Sequence, residues 1–344
     1  MDQQITEGKA IISVPKTEKI SKAMPAFYNP VMKLNRDISV LVLKAWSKNQ
    51  LNIALPLAGT GVRAIRFLKE LPKSKIRSIA VNDANPTAIK YIRANLKKNK
   101  IKRKISISNK DASQFLLENS AMDYIDIDPF GTPNPFLDSA VKRITNEGIL
   151  AVTATDTAPL CGTYPEACLR KYWAVSKRSP IMHETGLRIL IRKVQLIGAQ
   201  YQKALVPLYA YAKEHYFRAF FSCKKSKAEC QRLLQQHGML NDIGPLWKGA
   251  LWDSDFAKKV TEKADKKDKE TSKFTETIVE ESSIQAVGFY DIHHLCKEYK
   301  FPQIPKREAI IGKIRKKGYK ASPTHFTGEG IRSDIPLKEL LKLF

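Results

Sequence analysis

The chain has 344 residues, of which 43% are hydrophobic, enough for one large or two ordinary domains with a substantial core. Lysine and arginine number 59 against 34 aspartate and glutamate, and the formal charge of +25 favours a polyanionic partner, nucleic acid before an acidic membrane surface. Five cysteines without a Cys-x-x-Cys pair argue against a disulfide framework or a structural zinc site and fit a reducing compartment.

We expect no membrane segment and no secretion signal. The N-terminus is polar, and no apolar run approaches the roughly 18 residues of a membrane span. The sequence therefore predicts a cytoplasmic protein, which we expect to be a monomer without membrane contact.

Hydrophobic periodicity predicts a regular succession of elements in the first half of the chain. Residues 1–30 are expected to form a strand and an ordered loop, followed by a helix over 30–48. Further strands are predicted over 52–57, 76–81, 105–108, 123–128 and 148–155, and further helices over 62–71, 86–98, 112–118 and 135–144. This alternation predicts an α/β fold with a mostly parallel sheet and helices on both of its faces.

The second half predicts the end of that domain and a smaller one. A helix over 183–202 and strands over 205–212 and 216–223 would close a first domain of residues 1–225. Residues 226–344 would form a smaller C-terminal α+β domain. Within it, we expect a solvated loop or linker in the lysine-rich segment 258–273 and a helix over 305–316.

The segment Asp128-Pro129-Phe130-Gly131 follows a buried strand, where open α/β sheets place their chemistry. The carboxylate can accept a hydrogen bond from an amine, the proline ring can leave a neighbouring carbonyl free to accept another, and the phenylalanine offers a flat face. Together these groups suit an exocyclic amino group on a planar ring. An ordinary Asp-Pro turn explains the four residues equally well.

Other strand ends predict a nucleoside-bearing cofactor. The turn Gly59-Thr60-Gly61 would let a ligand approach the backbone at a helix N-terminus. Asp83 closes the next strand about 20 residues later, where dinucleotide folds bind a ribose diol. Asp111 and Ala112 follow the third strand and could meet the edge of an adenine. A helix N-cap is the alternative role for each aspartate.

Nine short segments are distributed along the chain: Glu7-Gly8-Lys9-Ala10, Phe27-Tyr28-Asn29-Pro30-Val31-Met32, Leu34-Asn35-Arg36-Asp37, Asp126 to Pro133, Thr155-Asp156-Thr157-Ala158, Leu160-Cys161-Gly162, His183 to Leu190, Gly244-Pro245-Leu246-Trp247 and Thr324-His325-Phe326. Together they closely resemble the tRNA (guanine(26)-N2)-dimethyltransferases. The resemblance runs along essentially the whole chain and implies a Rossmann-like class I methyltransferase fold, S-adenosylmethionine as cofactor and tRNA as partner. It also implies two successive methyl transfers to the exocyclic N2 of a guanine where the D and anticodon arms meet.

The resemblance also assigns roles to individual residues. It places Asp128 at the target amine, with Phe27, Pro129 and Phe130 around the base. It implies cofactor contacts from Arg36, Arg63, Asp83, Asp111 and Ala112. Many relatives carry two Cys-x-x-Cys pairs in the second domain, whereas Cys223 and Cys230 stand alone here, so we expect no metal.

Two groups of cations are candidates for contact with tRNA, and a solvated surface is the alternative for both. The C-terminal group would lie along the helix predicted over 305–316 and beyond it, and comprises Lys306, Arg307, Lys313, Arg315, Lys316, Lys317, Lys320 and His325. The second group mixes basic and aromatic residues, namely Tyr164, Lys171, Tyr172, Lys177, Arg178, His183, Arg188 and Arg192. His183 is expected to be structural or RNA-facing rather than catalytic.

Two other functions remain open from the sequence. One is a catalytically inactive tRNA-binding or chaperone protein on a methyltransferase fold, which the intact Asp83, Asp111 and Asp128 disfavour. The other is an amino methyltransferase for DNA or protein, which the C-terminal segments disfavour.

Overall fold

A computed structural model describes residues 2–16 and 24–344. The loop predicted within 1–30 therefore lies partly outside the described residues. The elements up to the motif strand are β1 (Asp2–Glu7), β2 (Ala10–Pro15), α1 (Lys33–Ala45), β3 (Leu51–Leu55), α2 (Val62–Glu70), β4 (Ile76–Asn82), α3 (Pro86–Lys98), β5 (Ser106–Ser108), α4 (Ala112–Glu118) and β6 (Met122–Ile127).

The remaining elements alternate less regularly. Those up to the end of the large sheet are α5 (Asn134–Arg143), β7 (Ile144–Ala154), α6 (Thr157–Leu160), α7 (Pro165–Tyr172), α8 (Met182–Gln200), β8 (Lys203–Lys213) and β9 (Tyr216–Lys225). Those after it are α9 (Lys227–Leu234), β10 (His237–Leu240), β11 (Ile243–Trp247), α10 (Ser254–Glu262), α11 (Lys269–Ser282), β12 (Tyr290–Asp291), α12 (Ile292–Glu298), α13 (Arg307–Lys316), β13 (Ala321–Pro323), β14 (Gly330–Ser333) and α14 (Leu337–Leu341).

Seven strands form one sheet in the order β5-β4-β3-β6-β7-β9-β8. The pairings from β5 through to β7 are all parallel. The chain builds outward from β3 to β5, then returns to add β6 and β7 on the other side of β3. Because the order reverses between β3 and β6, a crevice forms at the carboxyl ends of these two strands, where α/β folds bind their ligands. The predicted α/β fold with a mostly parallel sheet is confirmed.

Local sequence explains why these elements begin and end where they do. Every residue of β6 is buried, as expected for a central strand covered on both faces. Helix α3 begins at Pro86 behind Asn85, whose side chain accepts a hydrogen bond from the Thr87 N–H at 2.9 Å. The amide N–H groups of Ser113 and Gln114 donate in the same way to Asp111 at the start of α4.

The chain divides into two compact units, and neither is a single stretch of sequence. The first comprises Met1–Thr155, Gln195–Val206 and Phe220–Gln231, and the second Asp156–Val194, Pro207–Ala219 and Arg232–Phe344. The boundary between residues 225 and 226 remains a prediction. The second unit also contains the three-stranded sheet β12-β14-β13 and the hairpin of β10 and β11. No helix in the described ranges has the length and apolar character needed to cross a membrane.

The lysine-rich segment 258–273 was expected to be a loop or linker, and this expectation is wrong. It lies largely in α10 and α11, which begin behind the capping aspartates Asp253 and Asp268. Ala257, Val260 and Thr271 are buried on their inner faces, whereas the lysines point outward. Lysine is a good helix former, and a few small buried residues suffice to dock each helix.

A buried ionic network crosses the core of the second unit. Arg332 donates to Glu184 at 2.7 Å and to Glu281 at 3.0 Å, and Arg188 donates to Glu184 at 2.8 Å. Burial alone would raise the pKa of Glu184, but the charges of Arg332 and Arg188 lower it from 4.5 to about 2. The side chain of His325 is also buried, and its Nδ1 contacts the carboxylate of Glu281. Its Nε2 accepts a hydrogen bond from the Ala212 N–H at 3.3 Å.

This network corrects part of the predicted tRNA surfaces. Arg188 and His325 were predicted to face RNA, yet the side chains of both are buried and bonded within the protein. Tyr172, which was predicted to lie on the same mixed basic and aromatic surface as Arg188, is fully buried. Its hydroxyl donates a hydrogen bond to Asp156 at 2.6 Å. These three residues were assigned to the surface from their residue type, which does not show whether a side chain is buried in an ion pair or a hydrogen bond.

In Arg332→Ala, we expect the free energy of unfolding to fall by about 3–5 kcal/mol, since Glu184 and Glu281 lose a common buried partner. Urea unfolding followed by circular dichroism measures the change. Lys338→Ala, at an exposed position, is the control and should leave the free energy of unfolding nearly unchanged. Equal stability of the two variants would show that the network contributes little.

Candidate active site

The predicted site residues gather at the carboxyl ends of β3, β4, β5 and β6. The turn Gly59-Thr60-Gly61 follows β3, Asp83 follows β4, Asp111 follows β5 and Asp128 follows β6. Since β3 and β6 flank the point where strand order reverses, these residues line one edge of the sheet at its crevice. Three of these four segments carry a carboxylate, which is the usual acceptor for sugar hydroxyls and amines.

The glycine turn requires its glycines. Gly59 has a left-handed φ of 55°, and a Cβ built on it would lie 2.5 Å from the Phe27 carbonyl oxygen. Gly61 has a φ of 79° and is the N-cap residue of α2. The Gly59 N–H donates to Asp83 Oδ2 at 2.8 Å, so the turn and the end of β4 hold each other in place.

Asp83 and Asp111 are both bonded to backbone. Besides Gly59, Asp83 accepts from the Asn85 N–H at 2.9 Å; burial raises the pKa of its carboxyl, and these two donors oppose the rise. Asp111 is exposed and caps α4, and Ala112 behind it is buried. Each carboxylate retains lone pairs for a ligand, and the ribose and adenine contacts stay predictions.

Arg63 is the hub of the site. It lies in the first turn of α2, is 8% exposed, and is paired through Nη2 with Asp128. The same Nη2 donates to Asn35 Oδ1 at 2.8 Å, and Nη1 donates to Ser39 Oγ at 2.7 Å. Asp126 Oδ2 lies 3.5 Å from Nη1. The structure thus brings Arg63 to the predicted catalytic carboxylate, and its contact with the cofactor stays a prediction.

Asp126, Asn35 and Ser39 take part in the site although no role was predicted for them. Asp126 is buried and also accepts from the Tyr124 hydroxyl at 2.6 Å. Asp126 and Asp128 are two residues apart in an extended segment, so their side chains fall on the same face, a signal that the sequence contained. Asn35 and Ser39 are four apart on α1, which also places them on one face.

A second cluster, also in the first unit, surrounds Glu7. Arg36 donates to both carboxylate oxygens of Glu7 at 2.6 Å. Glu7 also accepts a hydrogen bond from Arg66 at 3.1 Å and one from the Tyr28 hydroxyl at 3.0 Å. Burial would raise the pKa of Glu7, but Arg36 and Arg66 bring it down from 4.5 to about 2. Arg36 is therefore fixed and largely neutralised by Glu7. Sequence reasoning assigned no role to Glu7, and Arg36's contact with the cofactor stays a prediction.

The two predicted aromatic walls lie side by side. The rings of Phe27 and Phe130 are 5.6 Å apart at 87°, and their residues are 37% and 54% exposed. Pro129, between Asp128 and Phe130 in the sequence, is buried. The turn behind it is closed by Thr155, which accepts from the Gly131 N–H at 2.6 Å and donates its own N–H to the Gly131 carbonyl at 3.0 Å. An exposed edge-to-face pair beside a carboxylate can receive a planar ring.

The C-terminal cations lie along α13 and just beyond it, in the second unit. Several of them also bond within the protein: Lys313 to the Leu343 carbonyl at 2.7 Å, Arg315 to the Ala321 carbonyl at 2.7 Å and Lys317 to Glu339 at 3.4 Å. Arg307 contacts Glu308 and the Gly328 carbonyl. Lys306 and Lys316 are exposed. Their role in binding RNA stays a prediction.

Cysteine chemistry does not fit this chain. Cys161 lies 3.6 Å from His183 Nδ1, but burial raises the pKa of its thiol to about 12, which keeps it protonated and unreactive. Within residues 2–16 and 24–344, no three His, Cys, Asp or Glu side chains are grouped as metal ligands would be.

The strand order and the crevice with its acids define a class I methyltransferase fold. The chain matches the profile of the N2,N2-dimethylguanosine tRNA methyltransferase family over residues 8–242 and 238–344. It belongs to this family.

Individual relatives cover nearly the whole chain. It is 38% identical to the tRNA (guanine(26)-N(2)/guanine(27)-N(2))-dimethyltransferase of Aquifex aeolicus, over 98% of this chain and 94% of the relative. It is 36% identical to the tRNA (guanine(26)-N(2))-dimethyltransferase of Methanobrevibacter smithii, over 98% of this chain and 96% of the relative. The structure of Trm1 from Pyrococcus horikoshii with S-adenosyl-L-methionine superposes with a TM-score of 0.89, at 32% identity and 99% coverage of both chains.

Glu7→Gln tests the charge cluster through pH. Because the pKa of Glu7 is lowered from 4.5 to about 2 on folding, its stabilisation is present above 4.5 and is lost as pH falls towards 2. We expect the variant to be less stable at neutral pH, on the order of 3 kcal/mol, and the difference from the unmodified chain to shrink on acidification. Urea unfolding at a series of pH values measures it.

Glu262→Gln, at an exposed position, is the matched control and should change stability little at any pH. A constant difference between Glu7→Gln and the unmodified chain across the acid range would contradict the ionic account of the cluster.

Proposed function

We propose that the chain transfers methyl groups from S-adenosylmethionine to the exocyclic N2 of guanine 26 of tRNA, giving first the monomethyl and then the dimethyl product. One observation carries this proposal. Asp128 stands at the carboxyl end of β6, paired with a buried arginine and beside two exposed aromatic rings, in a chain that belongs to this family.

The donor set fits the cofactor. Asp83 would hold the ribose hydroxyls, and Asp111 and Ala112 would lie at the adenine. Arg36 and Arg63, which are paired with Glu7 and Asp128, are the other two proposed cofactor contacts. The left-handed Gly59 and Gly61 leave the backbone before α2 without side chains, which supports the approach of a ligand to the helix N-terminus. When bound, the cofactor supplies an electrophilic methyl group on a sulfonium.

Asp128 prepares the nucleophile. A guanine exocyclic amine is a weak nucleophile because its lone pair is delocalised into the ring. Arg63 occupies Oδ2 of Asp128, which leaves Oδ1 to accept a hydrogen bond from the amine and its proton as the new bond forms. General-base assistance of this kind contributes about 10²–10⁴-fold. Alignment of the nitrogen with the methyl group contributes at least as much.

Phe27 and Phe130 would receive the guanine after it leaves its stack, a step that costs a few kcal/mol. Contact with aromatic faces returns about 1–3 kcal/mol per base. For the second transfer, the pocket has to admit one methyl group while the remaining N–H still reaches Asp128. The exposure of both rings leaves room on their outer side.

The exposed cations of α13 and its flanks would hold the tRNA backbone. Lys306 and Lys316 offer ammonium groups to solvent, and Arg315 lines a cavity of about 460 Å³ with Tyr319 and Lys320. Neutralised phosphates release counterions, so binding through these groups would weaken as salt rises.

In Asp128→Asn, we expect methyl transfer to fall at least about 10²-fold, because the amide cannot take the proton, while tRNA affinity stays within about twofold. The rate is measured by the transfer of labelled methyl groups to unmodified tRNA, and the tRNA affinity is measured by filter binding. Asp255→Asn, at an exposed carboxylate of the second unit, is the control and should keep full activity. Near-normal turnover in Asp128→Asn would reduce Asp128 to a turn residue.

Asp83→Ala should weaken binding of S-adenosylmethionine by about 1.5–3 kcal/mol, the worth of hydrogen bonds to a charged group, with little effect on tRNA affinity. Isothermal titration calorimetry measures the affinity for the cofactor. Circular dichroism checks that the variant still folds without the hydrogen bond from the Gly59 N–H to Asp83. An unchanged cofactor affinity would remove the ribose assignment.

A further inference from the structure

Large apolar side chains are exposed along the segment that contains α7. Tyr164, Leu169, Trp173 and Val175 are 59%, 55%, 45% and 43% exposed. Isolated exposed apolar residues are common on protein surfaces, but several in one short segment mark a place of contact.

Trp173 is held rigidly within this segment. Its φ of 57° lies in the left-handed region, which is unfavourable for a bulky side chain and needs support from the surroundings. Two hydrogen bonds supply that support. The Trp173 N–H donates to the Leu169 carbonyl at 3.0 Å, and Arg192 donates to the Trp173 carbonyl at 3.1 Å. Lys193 Nζ lies 2.9 Å from the centre of the indole ring. A ring fixed in this way loses little conformational freedom when it binds a ligand.

The helix itself is anchored from beneath. Tyr172 is fully buried, and its hydroxyl donates to Asp156 at 2.6 Å. Ser176 donates to the Pro159 carbonyl at 2.6 Å, and Val175 forms an antiparallel bridge with Gly244. The exposed side chains therefore stand on a well-fixed backbone.

The charge around these side chains selects the partner. In residues 164–178, Arg170, Lys171, Lys177 and Arg178 are exposed, and Glu166 is the one acid of that stretch. From outside it, Asp156 pairs with Lys171 at 3.3 Å and Asp242 with Lys177 at 2.5 Å, so cations remain in excess. Apolar patches that bind proteins are depleted of charge at their centre, whereas surfaces for single-stranded nucleic acid combine cations with aromatic rings. We name the exposed residues of this segment, Tyr164, Leu169, Arg170, Lys171, Trp173, Val175, Lys177 and Arg178, the α7 surface.

We propose that the α7 surface binds the tRNA substrate and that Trp173 stacks on an unpaired base other than the guanine that is methylated. The cations of the surface meet the phosphates on either side of that base. This inference rests on the proposed function, since it takes tRNA as the substrate, but it assigns a binding site to a residue outside the crevice.

Substitutions of Trp173 in the full-length protein test the stacking. Trp173→Ala should weaken tRNA binding roughly 5- to 150-fold at fixed salt, the worth of one base stacked on an aromatic ring. Trp173→Leu, which keeps the apolar bulk without an aromatic face, should lose nearly as much. Trp173→Phe should retain most of the affinity. Tyr299→Ala removes another exposed aromatic, one outside the α7 surface, and should bind as the unmodified chain does.

Fluorescence supplies a direct readout. Of the four tryptophans, Trp173 is the one with an exposed side chain, so its emission should be quenched when tRNA stacks on it. Trp173→Phe should lose this quenching while still binding. The slope of log affinity against log salt should stay the same in Trp173→Ala, because stacking neutralises no phosphate.

Two results would overturn the inference: equal tRNA affinity of the Ala, Leu and Phe variants, or quenching that persists in Trp173→Phe. Methyl transfer by the unmodified chain is measured on the same tRNA. Normal transfer with unaltered binding by Trp173→Ala contradicts the α7 surface alone. Absence of transfer with Trp173-dependent binding contradicts the proposed reaction and upholds the surface.

Discussion

The site depends on the burial of one guanidinium group. Arg63 can be buried at the start of α2 only if acids and hydrogen-bond acceptors surround it, because an unpaired charge in the interior costs several kcal/mol. Asp126 and Asp128 supply the charge, and Asn35 and Ser39 accept the remaining hydrogen bonds. The need to satisfy Arg63 thus fixes the end of β6 against α2 and α1. Asp128 is held at the crevice as a consequence, before any substrate is present.

Much of the fold could be predicted because its signals are local. The helices over 86–98 and 112–118 have the bounds that were predicted, since a proline or an aspartate marks each start. The pairing of Arg63 with Asp128 could not be predicted, because the two residues are 65 positions apart and no local pattern connects them. The same holds for Glu7 and Arg36, which are 29 apart. The motif residues were recognised, but the partners that fix them were not.

The excess of positive charge does not indicate which part of the protein surface could contact tRNA. Arg36, Arg66, Arg188 and Arg332 are buried against acids, and they stabilise the fold instead of meeting phosphate. Composition also misled in the segment 258–273, where lysines lie on the outer faces of two docked helices. The cations that the structure leaves exposed on α13 and on the α7 surface are among those available to a polyanion.

In the proposed reaction, a carboxylate held by Arg63 directs methylation to one exocyclic amine of tRNA. Its most direct test is to incubate the protein with S-adenosylmethionine and an unmodified tRNA transcript, and then to map methylated nucleosides by nuclease digestion and mass spectrometry. We predict N2-methyl- and then N2,N2-dimethylguanosine at position 26, the position named for the Methanobrevibacter smithii relative. Methylation of another atom or base, or no methylation at all with a folded protein and bound cofactor, would contradict it.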